Sequence, residues 1–116
     1  MSHSWTFPAR SWRVYDGHAV MDLTLDLGFG ITITITGRLF GINTPELRGS
    51  TRQQGLEARD WLRTRMDEAQ TVLIETRPET AAQQGKYGRW LITVWADDLN
   101  LNDALITHGF AVPYTP

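Results

Sequence analysis

The chain has 116 residues and a mass of 13.2 kDa, the size of one domain. Its 41% hydrophobic and 21% charged residues exclude a disordered tail and a collagen-like fibre, and the absence of Cys excludes disulfides, thiolate metal sites and cysteine nucleophiles. Eleven Lys and Arg against thirteen Asp and Glu give a net charge of −2 and a pI near 5.8, which excludes a basic field spread over the whole surface.

Residues 1–10 read as an N-terminal extension, without the basic and apolar regions of a secretory signal. The expected location is therefore cytoplasmic, with secretion of a trimmed precursor as the alternative. No run reaches the roughly 18 apolar residues of a membrane-spanning helix, so no membrane partner is expected. A short strand over Ser11–Tyr15 ends at the turn pair Asp16-Gly17. Ala19 to Leu27 alternates with period two, which predicts a strand with one buried face. In that alternation His18, Asp22 and Asp26 share the other face.

Gly28-Phe29-Gly30 is a second turn. Ile31-Thr32-Ile33-Thr34-Ile35-Thr36 is the strongest strand signal in the chain, because alternating β-branched residues suit a pleated surface. The strand runs on through Arg38 and stops at Asn43-Thr44-Pro45, since Pro cannot donate to a ladder. Apolar residues at helical steps (Ala58, Trp61, Leu62, Met66, Ala69) predict a helix over about Gln53–Ala69. Strands follow over Thr71–Arg77 and Arg89–Ala96. A short helix spans Asp103–His108, with Asn102 as its N-cap and Gly109 at its end. Three strands, a helix, two strands and a short C-terminal helix predict a mainly β single domain over 1–116. The architecture is an OB-fold five-stranded barrel.

Charge is unevenly placed. Ten of the eleven basic residues are Arg, whose planar fork suits phosphate. Between Arg38 and Arg65 six Arg face three acids, a local balance of +3. Four places carry possible chemistry. Asp16, His18 and nearby Asp22 and Asp26 offer metal-ligand types. Arg38 ends the Thr-rich strand. Asn43-Thr44-Pro45-Glu46 presents an amide, a hydroxyl and a carboxylate on one turn. Lys86-Tyr87-Gly88-Arg89 is a basic and aromatic cluster before a strand. Two guanidinium groups, one carboxylate and a cation are what phosphodiester hydrolysis asks for: charge neutralisation, a base for water, and a clamp on the phosphoryl oxygen.

In chain order, Val14-Tyr15-Asp16-Gly17, Arg38 through Glu46, Lys86 through Arg89, Leu101 through Leu105 and Gly109-Phe110-Ala111 resemble the staphylococcal nuclease (thermonuclease) family. The similarity runs from about residue 12 to 114. The Asp22–Gly30 stretch is similar to the bacteriophage and prophage-type branch. The resemblance implies an OB barrel and a metal-dependent nuclease hydrolysing phosphodiester bonds of DNA or RNA. It gives catalytic roles to Arg38, Glu46 and Arg89, with Glu46 as general base. It gives a divalent metal (Ca, Mg or Mn) to Asp16, His18, Asn43 and Thr44, and substrate contacts to Lys86, Tyr87 and Tyr114. The implied partner is single-stranded nucleic acid. Two positions depart from the pattern: His18 and Asn43 stand where the family has metal-binding aspartates. That departure, with the acidic pI, motivates the alternative of an OB module that binds nucleic acid, a nucleotide or a protein without cleavage.

Overall fold

The computed structural model describes residues 5–76 and 89–114. Strand β1 runs Trp5–Asp16, β2 Ala19–Gly28 and β3 Ile31–Leu39. A two-residue β4, Ile42–Asn43, leads through a single 3₁₀ turn at Gly49–Thr51 into helix α1, Arg52–Glu68. Then come β5 (Val72–Thr76), β6 (Trp90–Ala96), β7 (Leu99–Asn100), helix α2 (Leu101–Thr107) and β8 (Val112–Pro113). The main sheet has the order β3-β2-β1-β5-β6-β7, and a parallel pairing of β3 with β6 closes five of its strands into a barrel. β4 and β8 form a separate two-stranded ribbon. The predicted mainly β, five-stranded OB-type barrel with two helices is the observed fold. No helix among the described residues is long and apolar enough to cross a membrane.

Residues 5–10, read from the sequence as an extension, are the first half of β1. Trp5 to Pro8 pair with β5, and from Ala9 onward the strand pairs with β2 instead. Pro8 sits just before this change of partner, where one side of the strand is open and a missing N–H breaks no ladder.

The alternation read along β2 is broken once. Asp22 adopts φ +48° at an irregularity between Val20 and Leu23, a β-bulge that reverses the inside–outside phase. Val20, Leu23 and Leu25 are therefore all buried, and His18 turns inward with them. Asp22 and Asp26 go outward, where they pair with Arg13 (3.0 Å) and Arg10. The shared face of His18, Asp22 and Asp26 does not exist.

The core lies inside the barrel and continues under the helices. Leu23, Leu39, Ile74, Ile92 and Val94 fill the barrel, Leu62 and Met66 come from α1, and Leu101 and Leu105 from α2. Each such burial contributes about 1.5–3 kcal/mol. Helix α2 corrects a second expectation. Its N-cap is Asn100, whose side chain accepts from Asp103 N (3.1 Å). Asn102 is instead buried in the first turn. Its Oδ1 accepts from Val94 N (3.1 Å), and its Nδ2 donates to Phe40 O and Ile92 O (both 3.0 Å). Gly109, at φ +81°, ends the helix as predicted, with Phe110 N donating back to Leu105 O (2.8 Å).

Candidate functional site

The site gathers at one end of the barrel, where the β1–β2 turn, the end of β3, the β4 loop and the start of β6 meet. The β1–β2 turn closes on itself: His18 N donates to Asp16 Oδ1 (2.9 Å). The neighbouring strand fixes its height, because Leu39 N donates to His18 O (2.8 Å). Gly17 lets this turn lie flat on the next layer. A Cβ there would sit 2.8 Å from Ala58 Cβ and 2.9 Å from Thr44 Cγ2, too close for any side chain.

His18, Asp16 and Thr44 form one buried polar cluster. The His18 Nδ1 lies 2.6 Å from Thr44 Oγ1, and Nε2 lies 3.5 Å from Asp16 Oδ2. A neutral ring with its proton on Nε2 accepts from the Thr44 hydroxyl and faces the carboxylate with an N–H, which satisfies both sides. Burial is the main cause that lowers the His18 pKa below the ordinary imidazole value. The charges of Arg38 and Arg89 lower it further, against the opposing pull of Asp16 and Glu46. Four charged groups thus act on one imidazole.

Arg38 ends β3 with its guanidinium folded over the β4 loop. It donates to Leu39 O (2.7 Å), Ile42 O (2.8 Å) and Asn43 Oδ1 (3.0 Å). Three of its five N–H donors are thereby used, and two have no partner among the described residues. Burial first, then the neighbouring Arg89 cation, push its pKa down from the usual arginine value. The register explains that neighbour. Arg38 pairs with Leu91 in the parallel β3–β6 ladder, so Arg89, two residues earlier, shares its face of the sheet. The β4–β8 ribbon and the bond from Tyr114 N to Gly41 O (2.8 Å) bring the Tyr114 ring to 5.8 Å from the Arg38 guanidinium carbon, within cation–π range.

Glu46 is exposed, and among the described residues its carboxylate forms no ion pair. Its backbone is held instead. Glu46 O accepts from Thr51 Oγ1 (3.0 Å), and Gly55 of α1 packs beneath it. A Cβ at Gly55 would lie 2.7 Å from Glu46 O and 2.8 Å from Pro45 O. A glycine inside a helix costs roughly 0.5–1 kcal/mol relative to Ala, and here the cost admits the loop that carries Glu46. The sequence signal was available: Gly55 interrupts an otherwise good helical pattern. Lys86 and Tyr87, the remaining predicted contacts, lie outside the described residues.

The depressed His18 pKa gives a pH dependence with a definite sign. The unfolded chain binds a proton near pH 6.5, whereas the folded chain resists it to lower pH. The stabilisation is complete above about pH 6.5 and is lost as pH falls below it. Urea unfolding of wild type should show this loss as pH falls below about 6.5, and His18→Gln should flatten the slope there. An equal slope in both proteins would mean that His18 does not couple folding to protons.

A closed OB-type barrel with two arginines, one exposed carboxylate and a buried histidine around a single end defines the class: a small OB-type barrel with a charged site at one end. The family model for staphylococcal nuclease homologues matches residues 36–115, and the chain belongs to that family. A search of the curated proteins finds no match. The match includes Arg38, Asn43, Thr44, Glu46, Arg89 and Tyr114, while Asp16 and His18 precede it.

The four residues expected to hold a divalent ion do not suit a hard cation such as calcium. Such an ion needs six to eight oxygen donors and gains affinity from their charge. Here Asn43 Oδ1 is bonded to a guanidinium cation, and His18 offers ring nitrogens, one of them bonded to the Thr44 hydroxyl, where such an ion takes oxygen. Asp16 is the one full negative charge of the four, and its carboxylate is capped by His18 N. Among the described residues no three His, Asp or Glu side chains come together as a metal cluster.

Proposed function

We propose that the protein binds the phosphodiester backbone of single-stranded nucleic acid at the barrel end carrying Arg38 and Arg89 and hydrolyses it. The observation that carries this reading is that the β3–β6 ladder places Arg38 and Arg89 on one face of the sheet, with their charges and that of Glu46 all acting on the His18 imidazole. Two cations held side by side at a cost are stabilised by a bound anion. The unused N–H donors of Arg38, with the Arg89 guanidinium, meet the non-bridging phosphate oxygens and stabilise the charge that grows there as water attacks. Glu46, the exposed carboxylate on a fixed backbone, takes the proton from that water. Tyr114 offers a ring on which a base or sugar stacks beside Arg38. His18 holds the Thr44 hydroxyl and so orients the loop that carries Glu46. No step passes through a cation.

A second reading, binding without cleavage, is favoured by the hydrogen bonds that engage Asp16, His18 and Asn43 of the expected ligand set. The two are separated by incubating single-stranded DNA and RNA with the protein in chelator and in calcium, magnesium or manganese. Product that appears with wild type and disappears with Glu46→Gln supports hydrolysis. Salt-sensitive binding with no product under any condition supports the second reading.

A further inference from the structure

We propose that two copies of this chain form a two-fold symmetric dimer by pairing the free edges of β3 antiparallel, centred on Ile33. The proposal is independent of the nucleic-acid reading, because this edge is the half of β3 remote from Arg38. One side of β3 is paired with β2 along its length. On the other side only Gly37–Leu39 pair, with β6, so Ile31–Thr36 have no strand partner among the described residues. Their outward N–H and C=O groups form a row that specifies a β-strand as the occupant.

Among the described residues nothing guards this edge. Natural sheets protect exposed edges with charge, Pro or bulges. Strand β2 has a bulge at Asp22 and carries Asp26, and β1 has Pro8, Arg10 and Arg13. Ile31–Thr36 has no charge, no Pro and an unbroken register from Asp26–Thr32 to Leu23–Ile35. A charged peptide would find no complementary group on it.

The sequence of the edge is complementary to itself. Pairing about Ile33 sets Ile31 opposite Ile35, Ile33 opposite its own copy, and Thr32 opposite Thr34. Every cross-strand pair is then β-branched on β-branched or hydroxyl on hydroxyl, the pairs that stabilise sheets. The protein already uses the hydroxyl pair once, between Thr24 Oγ1 and Thr34 Oγ1 (2.9 Å).

The apolar surface beside the edge supports the same partner. Ile31 and Ile33 are 56% and 45% exposed, and Phe29 at the hairpin tip is 102% exposed. Next to them an apolar groove of about 280 Å³ is lined by Trp5, Phe7, Leu27, Ile33, Ile35 and Trp90 among others. Together these side chains offer on the order of 500 Å² of apolar surface. With a five-residue ladder over Ile31–Ile35, that approaches the roughly 800 Å² per partner of a stable interface.

Sedimentation of wild type at tens of micromolar should give twice the 13.2 kDa chain mass, and Ile33→Lys, a change at a half-exposed position, should give the single mass with an unchanged circular dichroism spectrum. Ile33→Cys is the second arm. It is the sole thiol in that variant, and opposed Cβ atoms lie near disulfide distance in such a pair. Mild oxidation should cross-link it far faster than a Leu99→Cys control on β7. A monomeric wild type, a dimer that persists in Ile33→Lys, or equal cross-linking of the two thiol variants overturns the proposal. So does a monomer whose oligonucleotide affinity collapses in Ile33→Lys, which would assign the face to nucleic acid.

Discussion

Glu46→Gln is expected to lower the rate of nucleic-acid cleavage by about 10²–10⁴-fold while leaving oligonucleotide affinity and thermal stability near wild type. The reasoning is local. Glu46 is exposed, makes no ion pair among the described residues, and is held by its backbone carbonyl rather than by its carboxylate. Gln keeps the size and removes only the ability to take a proton. A stopped-turnover assay beside a binding titration reads the two effects separately. Loss of affinity equal to loss of rate would place the carboxylate in binding rather than in proton transfer.

Asn102→Ala is expected to cost roughly 1–4 kcal/mol, because it leaves the buried Val94 N–H and the part-buried Phe40 C=O without partners. Ile92 O would keep its bond from Phe40 N (2.8 Å), so it is not counted. A loss of that size is a large share of the 5–15 kcal/mol that holds a typical domain folded. Urea denaturation measures it directly. The same amide ties α2 to the turn just after Arg38, so the surviving folded protein should also bind nucleic acid more weakly. Wild-type stability in Asn102→Ala would mean that water replaces the amide at no cost.

The strand over Ile31–Thr36 was legible because alternating β-branched residues suit a pleated surface, and β6 because a strand with one buried face imposes period two on its sequence. The order of the barrel strands and α1 followed from such patterns. The gathering of Arg38, Glu46 and Arg89 was legible only through the family resemblance, since a parallel β3–β6 pairing leaves no trace in local periodicity. Three features were hidden for physical reasons. The Asp22 bulge inserts one residue and silently reverses the faces of β2, so the apparent His18–Asp22–Asp26 face was an artefact of counting by two. The first half of β1 looked like a tail because Pro8 and Arg10 discourage a strand, and its partner switch was the missing fact. Asn102 stands two residues inside the true N-cap, and an Asn near a helix start reads as a cap whether or not it is buried. The ligand question was posed correctly by the sequence, through His18 and Asn43. The bonds of Asn43 to Arg38 and of His18 to Thr44 arise from tertiary contacts that leave no mark in local sequence.

The most direct measurement is a double-mutant cycle on the affinity of a dinucleotide carrying one phosphodiester, with Arg38→Ala, Arg89→Ala and the pair. If both guanidinium groups grip the same phosphate, each single change should weaken binding and the double change should weaken it by clearly less than the sum, a coupling of about 0.5–3 kcal/mol. Strictly additive losses, or an affinity that ignores either arginine, would contradict a shared phosphate site.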